Sequence, residues 1–192
     1  MEAETKPERT RLSAEDWELG ALELIAESGI GALAVEALAR RLGVTKGSFY
    51  WHFRTREALL LSALERWERY EERDVLAQIE TIAEPHQRLR ELFHRVAREN
   101  MHARIYAALL KALDQPVVVP LMARVSGQRM AFLTRAYREA GLAEADALNR
   151  ARLTYAAYVG FLQLNLTLGL PKLGHEAFDE YVEHMIRTLV PE

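Results

Sequence analysis

Residues 34–53, AVEALARRLGVTKGSFYWHF, carry two helical rhythms separated by one glycine. Val35, Leu38, Ala39 and Leu42 recur at i, i+3, i+4 and i+7, the spacing of a helix with one buried stripe. Gly43 stands where that helix must stop, because only glycine takes φ > 0 without steric cost. Thr45 is placed to cap a second short helix, and Phe49 and Phe53, four apart, give it an inward face. Two short helices joined by a turn of three or four residues make a helix-turn-helix, a unit that offers its second helix to a DNA major groove. Thr45, Lys46, Tyr50, Trp51 and His52 are left facing outward, a set rich in hydrogen-bonding and stacking groups.

The surrounding chain reads as helix throughout. Ser13 is an N-cap with Glu15 and Asp16 at the positive end of the dipole, Trp17, Ala21, Leu24 and Ile25 form one face, and Ser28-Gly29 ends the first helix. Thr55 caps the next helix, whose stripe is Leu60, Ala63, Leu64 and Trp67 and which is expected to run on through Tyr70. Pro85 opens another, with Leu89, Leu92, Phe93, Val96 and Ala97. Ile105, Leu109 and Leu113 continue the rhythm, and Pro116 and Pro120 are expected to bracket a connection. Met122, Val125, Phe132, Leu133 and Ala136 lie on a helix closed by Gly141. A long apolar helix comes next over 148–168, and Phe178, Val182, Met185, Ile186 and Leu189 mark the last. No period-2 strands, repeats or low-complexity tracts occur. The fold class is all-α.

At 192 residues the chain can bury a sizeable core. It has no cysteine, which removes disulfides, thiolate zinc sites and cysteine catalysis. No apolar run is long enough to span a membrane, and MEAETKPERTR lacks the apolar centre of a signal peptide, so the expected location is cytoplasmic with no membrane partner. The formal net charge is −3. Between Val35 and Arg56, however, five cations (Arg40, Arg41, Lys46, Arg54, Arg56) face one carboxylate (Glu36), a local balance of +4.

The run LGVTKGSFYWHFRTREALL resembles the DNA-binding signature of the TetR family of bacterial transcriptional regulators. The likeness extends from Arg11 to roughly Tyr70 and is most specific over Gly43–Phe53. It implies an N-terminal three-helix DNA-binding domain over 11–58 and a C-terminal helical ligand-binding and dimerisation domain over 59–192. The DNA-contacting set it implies is Thr45, Lys46, Gly47, Tyr50, Trp51, His52 and Arg56. Lys46 would open the recognition helix, Arg56 would grip the backbone from the start of the fourth helix, and Gly47 would allow close approach. Three positions depart from the family's pattern: Trp51 stands where tyrosine is usual, Arg56 where lysine is usual, and Ala34 where serine or threonine commonly caps the second helix. Arg9 or Arg11 could supply affinity that Ala34 does not.

The implied function is a sequence-specific repressor that binds double-stranded operator DNA and is released by a small apolar or amphipathic effector. A homodimer through the last two helices is expected, because one short helix reads too few base pairs alone. Met101, Tyr106, Met122, Phe132, Tyr155 and Tyr158 are the candidate ligand-lining residues, since methionine and aromatic side chains line adaptable apolar cavities. GVTKGS lacks the spacing and preceding strand of a phosphate loop. His86, His94 and His102 recur every eight residues and drift about 80° around a helix per step, so they share no face for a metal. No nucleophile–base constellation points to an enzyme, and no cofactor is expected. The rival reading is a helical protein-interaction scaffold without DNA binding, which would leave Lys46, Tyr50, Trp51 and His52 without a purpose.

Overall fold

The structure, a computed structural model of the chain, describes residues 12–98 and 100–192; Arg9 and Arg11, candidates for an auxiliary DNA-binding arm, lie outside the described residues. Helix α1 spans Ala14–Ser28, and a short 3₁₀ turn over Ile30–Ala32 leads into α2, Val35–Arg41, and α3, Lys46–Phe49. Helix α4 is Arg56–Tyr70, continued by a π-helical turn over Glu71–Leu76 and by α5, Ala77–Glu80. Then come α6 (Pro85–Arg98), α7 (Asn100–Leu110), α8 (Val118–Glu139), α9 (Glu144–Leu168) and α10 (His175–Leu189). The described residues hold no strand. None of their helices is long and apolar enough to cross a membrane.

Three helix ends, at Ser13, Gly29 and Thr55, obey the cap chemistry read from the sequence. Ser13 accepts from the Asp16 amide while the Asp16 carboxylate takes the Ser13 amide at 2.7 Å, a reciprocal capping box. Gly29 (φ 79°) ends α1. Thr55 accepts from the Ala58 amide at 3.1 Å and starts α4. Ala34 sits at the cap position of α2 with extended backbone and no side-chain bond, so the orphan amides there lack the partner that serine would supply. Thr45 also has N-cap backbone geometry, but its hydroxyl makes no capping bond, contrary to the sequence expectation.

One difference lies in the connection before α8. Pro116 and Pro120 were expected to bracket a loop, yet α8 begins at Val118 and takes Pro120 into its first turn. The first turn tolerates proline because its amide would have no intrahelical acceptor there. Val118, fully buried, anchors this end. The long helix α9 also begins earlier than expected, at Glu144.

Two apolar clusters fill the interior. One gathers Trp17, Leu38, Phe49, Leu60 and Trp67 with Ile105, Leu109, Val125 and Leu162, so the helix-turn-helix unit shares its core with α7, α8 and α9. The other joins Leu89, Phe93, Phe132, Tyr137, Val182 and Ile186 among α6, α8 and α10.

The Ser13 bonds hold the Asp16 carboxyl below its ordinary value of 3.8, with the backbone bond contributing most. A carboxyl depressed in the folded chain contributes stability above its unfolded value that is lost as pH falls through the folded one. Asp16→Asn is therefore expected to lower stability at neutral pH and to flatten the fall in stability below about pH 4. Urea unfolding at pH 7 and pH 3 measures both.

Candidate nucleic-acid interface and ligand cavity

The turn between α2 and α3 is closed by the backbone. Gly43 (φ 68°) lets its own amide reach the Arg40 carbonyl at 3.2 Å, while the Val44 amide reaches Ala39 at 3.0 Å. This paired closure ends α2 and sets the direction of α3. Phe49 and Phe53 then anchor α3 from below: Phe49 is fully buried, edge-on to Trp17 at 5.4 Å and stacked with Phe53 at 5.9 Å. With that face committed, Tyr50 and Trp51 must point out. They are 56% and 77% exposed, beyond what a buried apolar function would allow.

The rest of the expected set divides. Thr45, Lys46 and Gly47 are exposed beside Tyr50, and His52 is half-buried, close enough to Asp16 to help lower that carboxyl. A Cβ added at Gly47 would meet only the Thr45 hydroxyl, at 3.8 Å, and the residue needs no positive φ. Nothing inside the described fold therefore requires glycine there. Lys46 pairs with Glu36 on α2, whose hydrogen bond raises the ammonium above its ordinary value.

Arg56 has a different environment from the one its family position implies. Its Nε donates to the Leu33 carbonyl and its Nη2 to Ile30 at 3.0 Å. The planar fork thus satisfies two carbonyls of the 3₁₀ turn and ties the start of α4 to the approach into α2. A lysine could not span both with fixed geometry. Arg41 is likewise committed, to Glu27 at 2.6 Å and Glu23 at 3.1 Å on α1. Arg40 and Arg54 are exposed and make no ion pair among the described residues. These two are the uncommitted cations of the basic segment, which charge counting alone did not single out.

The second half of the chain encloses a cavity of about 730 Å³, within the usual range for a small-molecule site. Of the six candidate lining residues, Phe132, Tyr155 and Tyr158 are on its wall. Met122 and Tyr106 are instead buried in the first core, and Met101 packs against that core; the periodicity that marks a buried face does not say whether it meets side chains or space. Tyr106 stands one layer behind the wall, its hydroxyl 2.5 Å from that of Tyr155, which in turn donates to Ser126 at 2.9 Å.

Three polar wall residues that the candidate set lacks lie together. Glu71, in the π-turn, accepts from Arg129 Nη2 at 2.5 Å, and His102 Nδ1 lies 3.9 Å from the same carboxylate. Arg129 is nearly buried and its Cζ lies 4.5 Å from the centroid of the Tyr106 ring. Burial opposes its charge, but the adjacent Glu71 keeps the guanidinium firmly protonated, while burial raises the Tyr158 phenol. A signal did exist. Arg129 continues the buried stripe of Val125, Phe132 and Leu133, and Glu71 the stripe of Leu64, Trp67 and Val75, so each is a charge where periodicity demands an apolar residue.

Residues 19–63 match the family described as bacterial regulatory proteins, tetR family. A tetracycline repressor protein, class A, from transposon 1721 of Escherichia coli is 50% identical over 40 residues, which are 21% of this chain and 18% of that protein. The matches to curated relatives span less than a quarter of those proteins' length. Whole-chain similarity is one of fold. A regulator from Saccharomonospora viridis, solved in complex with choline, superposes with a TM-score of 0.79 at 18% identity, covering 93% of this chain and 97% of that one. AibR, solved in complex with isovaleryl coenzyme A and operator DNA, gives 0.70 at 18% identity, covering 93% and 98%. The helix-turn-helix unit over residues 19–63 thus matches the tetR family in sequence, and the helices behind it are similar to such regulators in fold.

Proposed function

We propose that the chain is a DNA-binding transcriptional repressor that grips operator DNA through the outward face of α3 and the turn after it, as a homodimer, and that a small molecule in the cavity releases it. The observation that carries the DNA reading is the face around Gly47: exposed Lys46, Tyr50 and Trp51 surround a glycine the fold itself does not need. Close approach of a phosphate backbone supplies that need. Tyrosine and indole donors reach phosphates or base edges, while Arg40 and Arg54 add uncommitted positive charge. A helical interaction scaffold gives no reason for a bare backbone beside such donors.

The dimer reading rests on α9. Leu153, Ala156, Gly160, Leu164 and Leu168 succeed one another at helical spacing on its outer side, and all are exposed in the single chain. Two such stripes packed together would remove them from water and bring two recognition helices to half-sites about 34–36 Å apart. The repressor and ligand readings draw on the relatives: a tetracycline repressor matches the DNA-binding unit, and AibR holds a small molecule and DNA in a similar fold.

The variants separate grip from scaffold. Gly47→Ala should keep or slightly raise stability, by up to about 1 kcal/mol from helix propensity, and weaken DNA binding tenfold or more. Retained affinity in a fluorescence-anisotropy titration against the DNA upstream of the protein's own gene would remove the close-approach assignment. Lys46→Ala and Arg54→Ala should each lower the slope of log affinity against log salt by about 1. An unchanged slope in both contradicts phosphate contact.

Arg56→Met is expected to cost about 1–3 kcal/mol in urea unfolding, because two carbonyls lose a charged donor. A neutral result would mean that the residue is free for DNA. A Cβ at Gly160 would meet nothing within 4 Å and the position is exposed in the single chain, so the fold should tolerate Gly160→Glu. Sedimentation should nevertheless show monomer, since the charge would be buried at the interface. A folded, dimeric Gly160→Glu protein places the interface elsewhere.

A further inference from the structure

The inner end of the cavity is chemically specific. Arg129 Nη2 is bound to Glu71, but Nη1 is buried and finds no hydrogen-bond partner among the described residues. A buried guanidinium arm left without an acceptor is costly and calls for an explanation. The arm cannot swing away easily. Its plane is held against the Tyr106 and Tyr158 rings, 4.5 and 5.6 Å from their centroids, and Glu71 fixes the opposite edge. Beyond this end Leu92, Phe93, Val96, Phe161 and Met185 give the wall an apolar stretch, and His94, Thr154, Asn165 and His175 add polar groups to it. Arg98, Asp179 and Glu183, the other charged residues of the wall, are exposed at its outer edge.

We propose that the cavity takes an uncharged amphipathic molecule whose head is an oxygen acceptor, such as a ketone or ester carbonyl, bonded to Arg129 Nη1, with its hydrocarbon body along the apolar wall. The proposal rests on the reading of the cavity as a ligand site and specifies its chemistry. Charge decides the class of head. Arg129 and Glu71, the two charged side chains at the inner end, already cancel. A carboxylate head would leave a net negative charge out of water, and a quaternary ammonium would face a guanidinium. At this end the guanidinium itself already lies against the Tyr106 and Tyr158 rings, where a cation would otherwise sit. A neutral acceptor completes the donor set without adding charge. It also touches a side chain that is bonded directly to the continuation of α4, through Glu71, so occupancy is communicated to the helix that carries the DNA-binding unit.

The test is calorimetric titration of the full chain at pH 8, above the ordinary imidazole range, with 2-octanone, octanoate and octyltrimethylammonium. 2-Octanone should bind at least tenfold more tightly than either charged analogue. Arg129→Met alone would strand a buried carboxylate and risk unfolding, so two other variants are used. Arg129→Lys keeps a cation for Glu71 but loses the second arm. Arg129→Met combined with Glu71→Leu removes the pair and keeps the interior neutral. Both should fold by circular dichroism and lose at least tenfold in 2-octanone affinity. Tighter binding of octanoate or octyltrimethylammonium, or unchanged 2-octanone affinity in both variants, overturns the head-group assignment while leaving the cavity a ligand site. Absence of binding by all three overturns the ligand-site reading with it.

Discussion

Helix α4 has one apolar stripe and two sets of neighbours that must share it. Leu59, Leu60, Ala63, Leu64 and Trp67 are all buried, and the cluster they belong to reaches from Phe49 of the recognition helix to Val125 and Leu162. Close packing leaves such a stripe little freedom to shift on one side alone. Truncating a residue like Trp67 to alanine would cost about 3–5 kcal/mol and loosen both halves at once. The fixed geometry of the proposed DNA face is therefore inherited from side chains far from it. The start of α4 is held by Thr55 and by Arg56 on the carbonyls of Ile30 and Leu33, so the recognition helix and α4 are positioned together.

A second tie runs along the same helix and its continuation. Glu68, Glu71 and Glu80 pair with Arg124, Arg129 and Arg135 of α8. Exposed pairs of this kind contribute little, roughly 0–1 kcal/mol each. The middle pair differs because it is buried, and because Glu71 sits in a π-turn, a distortion often found where a helix has a functional task. The proposed ligand contact at Arg129 and the direction of α4 thus meet in one carboxylate. Allosteric coupling of about 1–3 kcal/mol needs no larger contact change than this.

Much of the fold was legible because local chemistry dictated it. Gly43 stops α2, Thr55 starts α4, and the Phe49–Phe53 spacing assigns inside and outside on α3. The outward face of α3 came from exclusion: once two phenylalanines point in, Tyr50 and Trp51 point out. Other features were illegible for physical reasons. Pro120 looked like a loop marker because proline is permitted both in loops and in a helix's first turn. The tie from Arg56 to the fold was hidden because its acceptors are backbone carbonyls, which any sequence possesses. Tyr106 and Met122 were grouped with Tyr155 and Phe132 because all are large and helical; only the packing of α7 and α8 decides which of them meets empty space.

The claim on which the rest depends is that occupancy of the cavity is transmitted through α4 to the spacing of two recognition helices. The absence of cysteine in the chain permits a direct measurement. Ala58 is exposed near the start of α4, so Ala58→Cys carries a single spin label per chain and one label-to-label distance per dimer. The distance distribution, measured by double electron–electron resonance with and without a saturating amphipath shown by calorimetry to bind, should shift by several ångströms. A distribution that stays unchanged with the cavity filled would contradict transmission through α4.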